Sequence, residues 1–309
     1  MLEIIRLILP IYLLIAVGFA IIRTGYAGGE DLRGAGRLVI RLFLPIMIFS
    51  SIAGTGTDTQ SHMRVYLIYT LGSVLSYGIG YMTARLAGKD HGVGAFEAMG
   101  CSCSNSAFFG LPIITVAYGP QVALEIFTVA LLVENVLIIP LAIAIIETDS
   151  GLTWRKIKRL LGGMARNPLL LAAVAGLMWR TSGLEIPQVF ARAIALLAPV
   201  AAPVALLSVG GSVAELSLHA FRWGVARIVI CKLVGHPVSV ALVSLVFARD
   251  MPQLAGGLVL NAALPMMASY MLFGQRFQRE DVAATSLIAA TVLSFLTLMS
   301  LLWLLGSQL

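Results

Sequence analysis

Long runs of apolar residues, separated by short connections that carry most of the charges, extend along the whole chain. A helix needs about 20 mostly apolar residues to cross a bilayer, and the runs lack the polar alternation of membrane β-strands. The pattern therefore predicts an all-α polytopic membrane protein. Ten transmembrane helices are expected, at about residues 4–23, 32–54, 64–86, 94–118, 121–147, 167–182, 189–214, 221–248, 253–276 and 282–306.

The composition supports lipid as the main solvent of the protein. The 309 residues are 59% hydrophobic and only 12% charged, with a mean hydropathy of +0.94, whereas globular domains carry about 25% charged residues. The spans leave room only for short connections, which excludes a sizeable aqueous domain. The formal net charge is +6, but the basic residues are scattered and do not form the stripe of a nucleic-acid binder. No nucleic-acid partner is expected.

The distribution of Lys and Arg predicts the orientation of the protein. Counted over alternate connections, one side carries fifteen of these residues and the other five, and Lys232 falls inside a span. Because cytoplasmic connections are enriched in basic residues, the first side is predicted to be cytoplasmic, with both termini on the non-cytoplasmic side. The first span also has features of a signal peptide, but the similar spans that follow favour a membrane anchor.

The two halves of the chain share a weak internal repeat. The predicted organisation is a first five-helix repeat at 1–148, a basic cytoplasmic linker at 149–166 and a second five-helix repeat at 167–309. Since five is an odd number, the second half enters the membrane from the opposite side, and such inverted repeats are typical of secondary transporters. The matched residues are Pro10 and Pro168, Gly25 and Gly183, and Pro45 and Pro203, each 158 positions apart, and Leu111-Pro112 with Leu264-Pro265, 153 positions apart.

The fourth and ninth predicted spans each contain a polar stretch that ends in proline, at Cys101–Pro112 and Gly256–Pro265. Proline removes an amide donor and clashes with the preceding turn, while Ser and Asn side chains satisfy the backbone groups that a break releases. We therefore expect two discontinuous helices, with Pro112 and Pro265 in the first turn of each second half. Half-helix amino ends carry unpaired amides and partial positive charge, which suits a carboxylate. The alternative is a kink without a break.

Ionisable and amide residues inside other spans are further candidates. Glu134 and Asn135 lie midway along the fifth span, and an ionisable residue in a span is a functional hypothesis by default. Glu134 is a candidate proton carrier or, equally, a hydrogen-bonded structural carboxyl. Lys232 and His236, one turn apart in the eighth span, are candidates to support Glu134 or the substrate, although a position of the Lys232 ammonium at the membrane interface is favoured.

The two interrupted segments resemble signatures of the auxin efflux carrier family, which includes the plant PIN carriers and bacterial members described as malonate carriers. Asn105–Pro112, with Asn seven residues and Gly two residues before Pro, resembles the fourth-helix signature, and Asn261-Ala-Ala-Leu-Pro265 resembles the ninth. Asn167-Pro168, Pro45 and Pro203 also fit the family pattern. The resemblance covers essentially the whole chain. Because the long central insertion of the plant carriers is absent, the short bacterial type is the better comparison.

The resemblance implies the crossover fold of the bile acid symporter and PIN type, in which broken helices 4 and 9 cross near the membrane midplane. Spans 1, 2, 6 and 7 would form a scaffold, which is expected to make a homodimer. Spans 3–5 and 8–10 would form a transport domain that moves as an elevator. The location implied is the bacterial inner (plasma) membrane.

The function expected is secondary active or facilitated transport of a small organic anion, either a malonate-like dicarboxylate or an auxin-like monocarboxylate. Asn105 and Asn261 are expected to contact the carboxylate, since an amide donates to an anion without burying a charge of its own. Pro112 and Pro265 are the expected crossover residues. The predicted substrate-binding set lies in the two interruptions and consists of Asn105, Ser104, Ser106, Gly110 and Asn261.

Two other functions stay open at this stage. A sodium-coupled symporter of the bile acid carrier type would need oxygen ligands at the crossover. Ser102, Ser104 and Ser106 supply some, but no carboxylate cluster accompanies them, so proton coupling or facilitated movement is favoured. A receptor-like membrane binding protein would have the same site. No enzyme, cofactor or metal site is expected, because the sequence contains no hydrolase, zinc-protease or nucleotide-loop motif and its three cysteines lie in apolar segments.

Overall fold

A computed structural model describes residues 2–54, 59–146, 162, 165–215 and 223–305. Helices account for 87% of it, and no strand is present in these ranges. The all-α class is therefore confirmed. The predicted linker at 149–166 lies outside the described residues except for 162, 165 and 166.

The helices follow the order of the predicted spans, and two of those spans are each divided into two helices. In the first half the helices are α1 (Leu2–Arg23), α2 (29–54), α3 (Thr59–Leu86), α4 (His91–Ser102), α5 (Ser106–Tyr118) and α6 (Pro120–Ile146). In the second half they are α7 (Pro168–Ser182), α8 (Gln188–Glu215), α9 (Trp223–Phe247), α10 (Pro252–Ala262), α11 (Tyr270–Arg276) and α12 (Glu280–Leu305).

Local sequence explains where several helices begin and end. The side chain of Asn167 caps α7 by accepting a hydrogen bond from the backbone N–H of Leu169 at 3.0 Å, and Pro168 follows at a position where no amide is needed. Gly183 ends the same helix in the left-handed region, with φ of 68°. Gly119, with φ of 88°, separates α5 from α6.

Five helices of the described chain are long and apolar enough to cross a membrane: Met63–Leu86, Pro120–Ile146, Gln188–Glu215, Trp223–Phe247 and Glu280–Leu305. The shortest has 24 residues, which at 1.5 Å per residue extends about 36 Å, more than the roughly 30 Å of a hydrocarbon core. These helices indicate a multi-pass membrane protein.

The helices pack in pairs that bring the two halves of the chain together. α1 lies along α8 at very short range: a Cβ atom at Gly18 would be 2.1 Å from the carbonyl oxygen of Leu207, and one at Gly210 would be 2.0 Å from that of Ile15. Small residues allow such backbone contact between membrane helices. α7 packs on the C-terminal half of α2, and α3 packs on both α4 and α9.

Candidate functional site

The interruptions of the fourth and ninth predicted spans contact each other. Residues 103–105 separate α4 from α5, and residues 263–269 separate α10 from α11. The backbone N–H of Asn105 donates to the carbonyl of Pro265 at 2.9 Å, and the two stretches also form an isolated antiparallel bridge. Both spans are therefore broken rather than kinked, and each break supplies hydrogen bonds to the other.

The two prolines occupy different positions relative to these breaks. Pro112 lies at the start of the α-helical part of α5, but a π-helical stretch at 106–110 precedes that part directly, so Pro112 lies in the second turn of α5 and not in the first turn as predicted. Pro265 lies in the non-helical stretch before α11, so the expectation that it begins a half-helix is wrong. The physical reason is that its carbonyl pairs with the other interruption instead of entering a helix.

Asn105 caps α5 and keeps its amide nitrogen available. Its side-chain oxygen accepts a hydrogen bond from the backbone N–H of Phe108 at 3.3 Å. Its Nδ2 has no hydrogen-bond partner among the described residues, and neither does the buried hydroxyl of the adjacent Ser106. Buried polar groups in this condition are normally satisfied by water or a ligand.

A cavity of about 360 Å³ lies beside Asn105. Residues of α2, α8 and α12 line it together with Phe108 and Ala268 from the two interrupted spans. Most of the wall is apolar, and two side chains of α2, Arg33 and Arg37, contribute positive charge. The volume falls in the range of about 300–1,000 Å³ that is usual for small-molecule sites. An apolar cleft with a few polar donors and positive charge suits a small organic anion.

The two arginines differ in how strongly they are paired. Arg33 forms ion pairs with Glu30, at 2.9 Å, and with Glu215 on α8. Arg37, one turn further along α2, lies 4.0 Å from Glu30, at the outer limit of an ion pair. Arg37 therefore keeps most of its donor capacity for another partner.

A buried polar network lies next to the interruption. Its members come from five different spans and are Tyr69, Ser73, Ser104, Glu134, Lys232, His236 and Asn261. The carboxylate of Glu134 accepts hydrogen bonds from the backbone N–H of Ser104, at 2.8 Å, and from the hydroxyl of Tyr69, at 3.0 Å. Since Ser104 adjoins Asn105, the carboxylate fixes the backbone of the first interruption.

Lys232 holds its ammonium group inside the protein. The group donates to the hydroxyl of Ser104 and to the carbonyl of Ala262, both at 2.8 Å, and lies 2.9 Å from Nδ1 of His236. The side chain is fully buried, so the prediction that it reaches the membrane interface is wrong. The carbonyl of Ala262 lies at the C-terminal end of α10, where the helix dipole favours a cation. The other ring nitrogen of His236, Nε2, lies 3.1 Å from the hydroxyl of Ser73.

The chain matches the Membrane transport protein family over residues 3–303. It belongs to this family. The resemblance to the auxin efflux carriers is thereby confirmed, and the family consists of membrane transporters, not enzymes.

Two relatives align with nearly the whole chain. A Rhizobium meliloti (strain 1021) protein named "Putative malonate transporter" is 28% identical over 318 residues, covering 99% of this chain and 97% of its own. The "Uncharacterized transporter YfdV" of Escherichia coli (strain K12) is 24% identical over 298 residues, covering 93% of each chain. Both alignments extend over nearly the full length, as the sequence resemblance does.

Asn261, Gly110 and Asn135, which were also predicted to belong to the site or to support it, are not among the residues that line the cavity. Asn261 is fully buried and does not line it. Its Nδ2 donates to the hydroxyl of Tyr69 at 2.9 Å, and its Oδ1 has no partner among the described residues. Gly110 contacts it so closely that a Cβ atom there would lie 2.8 Å from this oxygen. Asn135 donates to the carbonyl of Leu131 in its own helix at 2.9 Å and does not join the network.

Sequence reasoning missed four residues of this site. Tyr69 and Ser73 join the polar network, and their spacing of one turn inside an apolar span was the available signal. Arg33 and Arg37 entered the sequence analysis only among the basic residues that predict the orientation in the membrane. Their shared face on α2 becomes informative once α8 and α12 are known to enclose it.

Proposed function

We propose that this membrane transport protein is a secondary carrier of a small organic anion. The observation that carries the proposal is the contact between the two interrupted spans beside a cavity that contains Asn105 and two arginines. The printed name of the Rhizobium meliloti relative, which mentions malonate, supports an organic anion as the cargo.

The carrier is proposed to consist of ten spans in a 5+5 inverted repeat, with crossing interrupted helices. The helix pairing supports this arrangement. α1 and α8 are the first and seventh spans, and α7 and α2 are the sixth and second. Exchanging the two halves turns one of these close-packed pairs into the other, as the symmetry requires. Repeats of this kind allow the two halves to exchange conformations and so to alternate access.

The anion is proposed to bind at the first interruption. Asn105 offers an amide N–H that the described residues leave unused, and Ser106 offers a hydroxyl in the same condition. Neutral donors stabilise a carboxylate without adding a charge that must itself be buried. Asn261, Gly110 and Ser104 act with them: Gly110 permits the close contact with Asn261, and Ser104 connects the site to the buried polar network.

The buried polar network is proposed to provide the coupling. The ammonium of Lys232 lies between a hydroxyl, a helix-end carbonyl and an imidazole nitrogen, which is where a monovalent cation would find its ligands. A side-chain cation at this position opposes a bound sodium ion and favours sodium-independent transport. Glu134, which shares Ser104 with Lys232, is the proposed proton carrier.

Movement is proposed to follow the elevator mechanism. The cavity lies between α2 and α8 on one side and residues of α5 and α12 on the other. These are members of the proposed scaffold and of the proposed transport domain, so the substrate would bind at the boundary that slides. On the predicted orientation Arg33 and Arg37 lie in the cytoplasmic part of their span.

Counterflow in proteoliposomes tests this function. Liposomes loaded with one anion from a panel of mono- and dicarboxylates should accumulate the labelled form of the same anion, equally well when choline replaces sodium. Asn105→Ala should abolish most of the signal, whereas Asn135→Ala, which removes an amide that donates to the carbonyl of Leu131 in its own helix, should not. Binding without counterflow would indicate a receptor, and loss of counterflow in choline would indicate the sodium-coupled alternative.

A further inference from the structure

The cavity is lined by two chemically different kinds of donor. Asn105 belongs to the first interrupted span, and Arg33 and Arg37 belong to α2. The rest of the wall is largely apolar, with Phe108, Val209 and other hydrophobic side chains. A ligand with a single anionic group pairs with one kind of donor and leaves the other without a ligand.

The two serine hydroxyls of the wall do not compete for an anion. Ser208 and Ser212 line the cavity from α8, but their hydroxyls donate to the carbonyls of Val204 and Ser208, each at 2.9 Å. Their hydrogens are therefore committed to their own helix. The donors that remain available at the cavity include the amide of Asn105, the hydroxyl of Thr291 and the guanidinium groups of the two arginines.

Of the two arginines, Arg37 is the better anion ligand. Arg33 is held by two carboxylates, Glu30 and Glu215. Among the described residues, the carboxylate that pairs with Arg37 is that of Glu30 at 4.0 Å, which is itself highly exposed and so is easily displaced. A guanidinium group binds a carboxylate through two parallel hydrogen bonds. A site that contains such a guanidinium discriminates strongly against a ligand that lacks the carboxylate.

We propose that Arg37 binds the second anionic group of a substrate whose first carboxylate contacts Asn105, and that the protein thereby selects small dicarboxylates over monocarboxylates of the same size. The inference rests on the proposed function and deepens it, because it assigns the discrimination between dicarboxylates and monocarboxylates to one residue of α2.

The test compares two ligands that share the malonyl skeleton: malonate, and monomethyl malonate, in which a methyl ester removes the charge of the second carboxyl group. The thermal unfolding midpoint of the purified full-length protein is titrated with each ligand at fixed ionic strength, which gives an apparent Kd for both. The parent should bind malonate at least about tenfold more tightly than its monoester, since one well-formed charged contact is worth about a factor of ten.

The decisive variant is Arg37→Gln. It should raise the Kd of malonate about tenfold and leave that of the monoester within about twofold, so that the discrimination disappears. Arg37→Lys keeps the charge but lacks the planar guanidinium, so its ratio of the two Kd values should lie between those of the parent and of Arg37→Gln. Arg41→Gln is the matched control, because Arg41 lies one turn further along α2, is exposed and does not line the cavity. It removes the same charge from the same helix and should change neither Kd.

Three results would overturn the proposal, and each is distinguishable from failure of the proposed function. Equal weakening of both ligands by Arg37→Gln would make Arg37 a general attractant for anions. Unchanged Kd values of both ligands in Arg37→Gln and Arg37→Lys would exclude it from the site. Equal affinity of the parent for both ligands would refute the selectivity itself. Failure of the carrier function is seen separately, when no anion of the panel supports counterflow by the parent.

Discussion

Gly110→Ala perturbs the contact between the two interrupted spans with the smallest possible change. The new Cβ atom would lie 2.8 Å from Oδ1 of Asn261 and 3.0 Å from a methyl group of Leu264. Ordinary contacts begin at 3.4 Å, so the first pair must separate by about 0.6 Å in an interior packed close to crystal density. Asn261 is fully buried, and its displacement also moves its hydrogen bond to Tyr69.

The expected magnitude follows from the cost of such overpacking. Inserting one methyl group into a packed core costs about 1–3 kcal/mol. If the strain is relieved by moving the two interruptions apart, the same free energy is lost from ligand affinity, which corresponds to a factor of about 5–150 in Kd. We expect Gly110→Ala to remain folded and to bind its anion at least about fivefold more weakly.

The assay is ligand titration of thermal unfolding, followed by counterflow. Gly78→Ala is the matched control, because a Cβ atom there has no neighbour within 4 Å and the change favours the helix by about 0.5–1 kcal/mol. If Gly110→Ala binds and transports like the parent, or if Gly78→Ala loses as much affinity, the close approach at Gly110 has no functional role.

Three further predictions concern the asparagines of the two interruptions, the buried Glu134 and a surface ion pair. Asn105→Ala should abolish most binding, and Asn261→Ala should weaken it while the protein stays monodisperse; unchanged uptake in both would remove the interruptions from the site. Glu134→Gln should bring the ratio of uptake at pH 5.5 and pH 7.5 towards one, and a ratio like that of the parent would exclude it as proton carrier. Arg64 makes two hydrogen bonds to the exposed Asp250, at 3.1 and 2.9 Å, which hold the pKa of that carboxyl below its usual value. A lowered pKa means that the pair stabilises the protein above about pH 4 and stabilises it less at lower pH. The difference in thermal midpoint between the parent and Arg64→Gln should therefore be constant from pH 7 to pH 5. A difference that grows on acidification would contradict this sign.

The helical framework follows directly from the sequence. Apolar runs between charges are a local signal, because a segment surrounded by lipid must satisfy its backbone internally. The breaks at residues 103–105 and 263–269 were also foreseeable, since Gly, Pro, Ser and Asn change the local backbone preference. Pro265 shows the limit of that reasoning. Its position depends on a hydrogen bond to Asn105, which is 160 residues away in the chain.

The site was predictable only in part, because its chemistry depends on which helices meet. Asn105 was recognisable from its own segment. Lys232 was not, since an isolated lysine in a span is expected to extend towards water, and only the carbonyl of Ala262 and the hydroxyl of Ser104 make its burial favourable. Arg37 likewise has the sequence context of an orientation charge, and its place in the cavity depends on the packing of α8 against α2 and on residues of α12 that line the same cavity.

The location of a bound anion tests the central claim most directly. A crystal structure of the full chain with 2-bromomalonate, measured at the bromine absorption edge, reports that location without reference to any mutant. The account predicts an anomalous bromine peak inside the cavity lined by Asn105 and Arg37. A peak elsewhere in the protein, or none at a ligand concentration that saturates counterflow, would contradict it.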